Sequence, residues 1–390
     1  MTAEMSAGDE RLVHGMAADL VEPDWPPIGE VEARDVLAHF ELAGASRPTD
    51  AVVTWRSPRP MSAAAIVRVG DRSVFLKRHH TSVRDASRLI LEHQFIGHLT
   101  DRGESLPAVL MTLDGASVLE RDDVVYEAHE VARGLDLYRA TPSWFPYRVA
   151  SHARAAGRAL ANFHRAAADF AAPAWPMGVL SDSIDVISSR DPLEAIREVV
   201  ARRPGLARST SHYRLARDVE RYLVEPIATA ATRVRALSPQ WTHGDWHPSN
   251  LTWSSARADA TVCDVVDLGL ANRTVALHDL AVAIERGVID WLDVAGVGTI
   301  SVDDDALGAL LAGYDEVLAL TDDDAESLAA ILPVAHVEFA LSEVEYFGDV
   351  VDAPINRDLA YHGYLLGHAR WFASAAGAQL LAHLRRRGCW

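Results

Sequence analysis

The chain has 390 residues, 49% of them apolar, and a formal charge of −18 from 37 basic against 55 acidic side chains. That length suits two lobes with a large buried interior, and the negative surplus repels polyanions, so nucleic acid is excluded as an expected partner. No run of about eighteen uncharged apolar residues occurs, and the acidic start MTAEMSAGDERL lacks the pattern of a secretory signal, so no membrane partner and a cytoplasmic location are expected.

A Pro-rich link, EPDWPPIGE, leads into an amphipathic helix from Glu30 to Ala43, and residues 1–50 are read as an N-terminal extension. From Ala51 the pattern turns to short β-prone runs, AVVTW, AAIVRV and RSVFLK, with Gly70-Asp71 as a two-residue turn between the last two. A helix follows over Val83–Thr100, then strand candidates AVLMTL and VVYEAHEV. Strands with one embedded helix make a small α+β lobe over 51–130.

After Ala132 long Ala-, Leu- and Arg-rich helices take over, for example Tyr147–Ala167 and Tyr213–Ala236, so that 131–390 reads as a larger, mainly helical C-lobe joined to the first near Tyr126 to Val131. The convincing β segments there are LTW and TVCDVVDL, flanking 254–259. Cys263 and Cys389 are too few for a disulfide framework or zinc cluster and read as structural thiols.

The stretch THGDWHPSNLTW (242–253) places an Asp, a His and an Asn within six positions, broken by Gly and Pro. If LTW pairs antiparallel with CDVVDL, Asn250 and Asp267 emerge at the same end of the ribbon. Amide and carboxylate oxygens side by side form the hard environment that Mg²⁺ prefers. Asp245 lies just outside this pair, placed to take a proton from an attacking hydroxyl; a purely structural turn capped by Asp245 is the bland alternative. His243 and His247 have i, i+4 spacing, but Gly244 and Pro248 break the continuous helix that zincin-type ligands need.

A second signal lies upstream. Leu89, Glu92, Ile96 and Leu99 share one face of the helix over 83–100, and a carboxylate inside an apolar stripe needs a partner. Lys77 closes SVFLK on the strand face opposite Val74 and Leu76, and a Lys77–Glu92 pair is expected. Such a pair fixes an ammonium for phosphate oxygens.

In the order Lys77, Glu92, linker, Asp245, Asn250, Asp267 the chain resembles the aminoglycoside phosphotransferase and choline kinase group of protein-kinase-like folds. HGDWHPSN fits H-G-D-x-x-x-x-N, and VVDLG with HDLA (278–281) fits the downstream pattern, the likeness covering roughly 50–370. The resemblance implies a two-lobed α+β fold with a small β-rich N-lobe. It implies that Lys77 holds the α- and β-phosphates of ATP, that Glu92 orients it, and that Asp245 is the catalytic base. Asn250 and Asp267 would bind Mg²⁺, and backbone groups of Glu127, Ala128 and His129 would receive the adenine edge. His243 and Asp279 would brace the loop.

One departure from that pattern stands out, and one contrast with protein kinases. The loop RSPRPMSAAA has no glycine where a phosphate-covering loop has several, leaving Ser57, Ser62 or Arg59 as substitutes. Gly244 occupies the place of the Arg with which eukaryotic-type protein kinases read a phosphorylated activation loop. Eleven residues between Asp267 and Asp279 leave little chain for docking a peptide.

These points favour a small hydroxylated acceptor, cationic ones included, bound in the helical lobe by Glu285, Asp290, Glu338, Glu343 or Glu345. Glu338 and Glu345, seven apart, would share a helical face. Acidic runs at 303–305, 321–327 and 342–352 would attract a cation or are solvated helix faces. The leading expectation is an ATP- and Mg²⁺-dependent O-phosphotransferase for small molecules, monomeric or homodimeric. The alternatives are a bacterial Ser/Thr protein kinase on the same scaffold, since such kinases also carry GD-x-H-x-x-N boxes, and a nucleotide-binding pseudoenzyme.

Overall fold

Alternating apolar residues between Val52 and Glu130 build an antiparallel sheet, and the Ala- and Leu-rich remainder builds helices, in a computed structural model that describes residues 13–14, 20–42, 50–293, 299–386, 388 and 390. Ala43 and Cys389 lie outside the described residues. Two short strands, β1 (Val13–His14) and β2 (Leu20–Val21), pair ahead of helix α1 (Glu30–Leu37). The sheet comprises β3 (Val52–Arg56), β4 (Ala63–Val69), β5 (Arg72–His80), β6 (Leu119–Arg121) and β7 (Val124–Glu130), in the order β3-β4-β5-β7-β6. Val69 pairs with Arg72 across Gly70-Asp71, Gly70 at φ +60°, the left-handed backbone such a turn demands.

The two faces of this sheet have different tasks. Ala65, Val67, Val74, Leu76 and Ala128 form one apolar cluster with Ala33, Val36 and Leu37 of α1. The other face carries Lys77, His79 and Glu127 toward α2 (Ala86–Asp101), which is capped by Asp85. Through Phe95, Ile96 and Leu99, α2 joins the large core of the helical lobe. The segment AVLMTL forms only isolated bridges, Val109 to His129 and Thr112 to Phe40, and the edge strand is β6 instead.

The helical lobe begins with α3 (Ala150–Ala167), α4 (Pro192–Arg202), α5 (Pro204–Thr210), α6 (Leu215–Tyr222) and α7 (Val224–Val234). The single helix expected over 213–236 is thus two, broken at Leu223. Two ribbons then frame the loops of interest. Strand β8 (Pro239–Thr242) pairs with β11 (Asn272–Val275), a ribbon the sequence reading missed, and β9 (Leu251–Trp253) pairs with β10 (Val262–Val265). From β11 the chain enters α8 (Ala276–Gly287), followed by the pair β12 (Ile289–Asp290) and β13 (Ser301–Val302) and by α9 (Asp304–Asp315), α10 (Asp322–Ile331) and α11 (Val337–Glu345). Wide turns at Tyr346–Val350 and Leu359–Leu365 flank α12 (Pro354–Asp358), and α13 (Leu366–Phe372) and α14 (Ala375–Leu384) close the chain.

Gly157 on α3 and Gly313 on α9 let these helices touch backbone to backbone, since a Cβ on either would overlap a carbonyl of the other helix. The stretch Asp322–Val350 is long and apolar enough to cross a membrane, but 94% of its apolar window is buried in the protein, as befits a core helix. The acidic runs at 303–305 and 321–327 mark helix starts: Asp303 caps α9, and Thr321 with Asp324 forms a capping box on α10.

Candidate active site

Residues 243–250 span the gap between the two ribbons, and hydrogen bonds from three sides fix them. Gly244 adopts φ +76°, and a Cβ there would overlap the Leu270 carbonyl. The place where protein kinases carry an Arg therefore has no room for a side chain. Asp279, at the start of α8, accepts the backbone N–H groups of His243 and Gly244, both at 2.8 Å, and pairs with His164 Nε2 at 3.0 Å. His243 is fully buried, its Nδ1 accepting the Asp245 N–H at 3.2 Å and its Nε2 donating to the Val266 carbonyl at 3.1 Å. Both residues brace the loop.

Asp245 is held by its neighbours as a carboxylate. Burial pushes its pKa up, but the charges of His247 and Arg286 outweigh that and hold it well below the usual carboxylate range. Arg286 Nη1 pairs directly with Asp245 Oδ1, and its guanidinium packs against the rings of Trp144 and Phe339, 4.9 and 4.8 Å from their centroids. Asn250 Nδ2 donates to the Asp245 carbonyl and to Oδ2, at 2.9 and 3.0 Å. That orientation leaves the Asn250 amide oxygen as a hard ligand.

Asp267 adopts the left-handed backbone, φ +59°, a strained conformation for a residue with a side chain. Its side chain is partly exposed and its carboxylate accepts from Lys77 Nζ at 2.9 Å, across the two lobes. Burial raises its pKa, and Lys77 more than reverses that. On Lys77 burial pulls down while Asp267 and Glu127 raise it further, so the ammonium stays charged. The Val266 N–H donates to the Asn250 carbonyl at 3.0 Å, which joins the two oxygen-bearing segments.

The expected Lys77–Glu92 pair is not formed. Glu92 pairs with Arg84 at 3.2 Å, and Arg84 donates to the Gly269 carbonyl at 2.6 Å, tying α2 to the Asp267 loop. With the carboxylate of Asp267 nearer than that of Glu92, the ammonium takes the stronger Coulomb partner. Arg59, from the glycine-free loop, donates to the Thr141 carbonyl at 2.9 Å; burial lowers its pKa, and the charges of Asp136, Asp245 and Asp267 oppose that. Its guanidinium therefore feels the carboxylates of both Asp245 and Asp267.

The comparisons with known proteins agree with this geometry. The model of the "Phosphotransferase enzyme family" matches residues 62–320. The chain belongs to this family. Among solved structures, a microcompartment-associated aminopropanol kinase aligns with TM-score 0.55 and 16% identity over 90% of this chain and 99% of its own. An amicoumacin kinase aligns with TM-score 0.53 and 13% identity, covering 86% and 96% of the two chains. An aminoglycoside phosphotransferase from Alicyclobacillus acidocaldarius gives 0.51 and 17%, covering 92% and 98%. A comparison with curated proteins gives no match. The chain is thus a phosphotransferase of protein-kinase-like fold, with a β-sheet N-lobe and a mainly helical C-lobe.

In this phosphotransferase the remaining expected residues stand as follows. Glu127, Ala128 and His129 do not form a linker: they are inside β7, paired to β5 on one side, while Leu110 N–H donates to the Ala128 carbonyl at 2.8 Å on the other. The chain leaves the sheet after Glu130, so residues 131–134 connect the lobes, and Asp264 accepts the Arg133 N–H at 2.6 Å there. The Glu127 side chain accepts from His79, His93 and His129 at 2.8, 2.8 and 2.9 Å. Burial raises Glu127, and these three donors hold it well below the carboxylate range.

Glu338 accepts from the Ser183 hydroxyl and from the Val186 and Ile187 N–H groups, at 2.6 and 3.1 Å for the latter two, and burial pushes its pKa well up. Glu345 pairs with Arg203. Both anchor the segment between α3 and α6 rather than open into the loop at Asp245. Asp290 is buried in β12, opposite Ser301. Glu285 and Glu343 are buried beside Arg286, which links them to Asp245. Sequence reasoning missed Arg84 and Arg286. The signal for Arg286 was a charge inside the apolar run AIERGVIDWL, where an unpaired cation is untenable.

Proposed function

We propose that this phosphotransferase moves the γ-phosphate of ATP to a hydroxyl of a small acceptor, with Mg²⁺ held by Asn250 and Asp267. The observation that carries the reading is that Lys77 of the N-lobe bonds Asp267 of the C-lobe at 2.9 Å, while Asn250 bonds Asp245 at 2.9 and 3.0 Å and is joined to the Asp267 segment through the Val266 N–H at 3.0 Å. Their chemistry fits the group: two hard oxygens for the metal, one ammonium for phosphate, one carboxylate beside them. Bound Mg²⁺ would neutralise charge developing on the phosphate oxygens.

The chain's own residues supply the rest. Lys77, paired with Asp267 in this structure, would turn to phosphate oxygens once a bound metal ion neutralised that carboxylate. Arg59 replaces the missing glycine loop by donating from its side chain to the same phosphates. Asp245 orients the acceptor hydroxyl and takes its proton; a weak base suffices, because in a loose transition state the proton leaves late. The adenine edge goes to the backbone after Glu130, since the Ala128 carbonyl already accepts from the Leu110 N–H. A cytoplasmic location remains part of this reading.

The test is transfer of labelled γ-phosphate from Mg-ATP to aminoglycosides, amino alcohols, sugars and a generic protein, with Asp245→Asn alongside. Labelling of a small acceptor that Asp245→Asn abolishes is the expected result. Labelling of protein alone would establish a protein kinase instead.

A further inference from the structure

Glu285 in the last turn of α8, His336 just before α11 and His368 on α13 bring three ligand atoms within 4.8 Å of one another, all three residues buried. Their hydrogen bonds leave lone pairs over. His336 Nε2 lies 3.0 Å from the Leu365 carbonyl, which can only accept, so Nε2 carries the proton and Nδ1 is a bare imine nitrogen. That Nδ1 is buried and has no donor. Glu285 Oε1 pairs with His368 Nδ1 at 2.8 Å, while Oε2 is buried without a hydrogen bond, its nearest cation, Arg286 Nε, standing 3.7 Å off.

His336 Nδ1 and Glu285 Oε2 are thus buried without a hydrogen bond, on residues whose ligand atoms lie within 4.8 Å of one another, an arrangement that a bound cation would relieve. The surroundings are built as a metal's outer shell is built. The Leu365 carbonyl fixes the His336 tautomer, and Trp291 stacks on His368 with centroids 3.4 Å apart while donating Nε1–H to the Glu285 carbonyl at 2.8 Å.

We infer that Glu285, His336 and His368 form a binding site for a divalent transition metal of the Zn²⁺ class, distinct from the all-oxygen site at Asn250 and Asp267. Two imidazoles and one carboxylate leave a fourth, open position, the donor set of zinc rather than of magnesium. Binding at His368 Nδ1 requires the proton it shares with Glu285 to move to Nε2, a change of tautomer with no net proton released. Loading is independent of whether Asp245 transfers phosphate.

The probe is Co²⁺ added to untagged, chelator-stripped full-length protein, read by its visible absorption band. Wild type and Asp267→Asn are expected to bind one equivalent with the intense band of a low-symmetry nitrogen-containing site. His336→Ala and His368→Ala are expected to weaken binding at least tenfold, with folding verified by circular dichroism. Glu285→Gln, nearly isosteric, gives the same loss if the alanine variants do not fold. Absence of the band in wild type, an unchanged band in folded ligand variants, or occupancy of the site by ethanolamine in preference to Co²⁺ would overturn the assignment.

Discussion

Asp245 is pinned by a guanidinium that is itself pinned by two aromatic rings, and this sets the pH behaviour of the reaction. With Arg286 in place the carboxylate stays ionised deep into acid, because the neighbouring charges outweigh burial. The acid limb of kcat/KM in Arg286→Gln is therefore expected to move to higher pH, and an unmoved limb in a folded variant refutes the pairing as its cause. Asp245→Asn keeps the shape and loses the base; kcat is expected to fall by about 10²- to 10⁴-fold while the KM for ATP stays near wild type. Arg59→Ala tests the glycine-free loop: losing a hydrogen bond between charged groups removes about 1.5–3 kcal/mol, so the KM for ATP should rise about tenfold or more. The spacing from Asp245 to Asn250 was legible in the sequence because it is local. The partners of Lys77 and Glu92 were not, since Asp267 and Arg84 compete for them from other segments and only distance decides.

Elements were legible where one pattern dominated and were misread where two competed. The hairpin of β4 and β5 followed from strict alternation around Gly70-Asp71, and β9 with β10 from an apolar run either side of a polar turn. Strand β8 escaped notice because four residues beginning with Pro carry no periodicity, and its partner β11 contains Asn and Arg. These two strands nonetheless clamp the loop over 243–250, and Gly244 permits the close approach of Leu270. Gly244→Ala is expected to cost about 1–3 kcal/mol in backbone strain, with further loss from the Cβ overlap. Thermal unfolding and phosphate transfer should fall together; a wild-type Tm in Gly244→Ala rules out the tight loop. The described part of the N-terminal extension is likewise structural. Its Asp24 and Trp25 both hydrogen-bond Tyr346 Oη, at 2.9 and 3.0 Å, and Asp24 N–H donates to the Pro60 carbonyl at 3.2 Å, so it straps the Arg59 loop to the helical lobe.

At the scale of the whole molecule the helical lobe buries more carboxylates than its surface pattern implied. Glu285, Glu338, Glu343 and Glu345 were read as pocket acids because a single sequence shows helical spacing but not which face the neighbouring helices cover; in the fold all four are buried. Burial lifts Glu343 to about 8 and Asp182 to about 6, while His336 is pushed down to about 4. These shifts act on stability in opposite directions. A carboxyl whose folded pKa is raised contributes stability that is complete below its unfolded pKa of about 4.3 and is lost as pH rises through the folded value. A histidine held neutral contributes stability that is complete above about 6.5 and is lost as pH falls toward its folded value. Between pH of about 6.5 and 8 both His336 and Asp182 have finished titrating, and Glu343 has not. In that window Glu343 drains about 1.4 kcal/mol of stability per pH unit. Glu343→Gln removes the proton and keeps the volume, so the difference in Tm between variant and wild type should grow in the variant's favour as pH rises through the window. A difference that stays constant means that Glu343 is already ionised at pH 6.5, with Arg286 carrying its charge as well as that of Asp245.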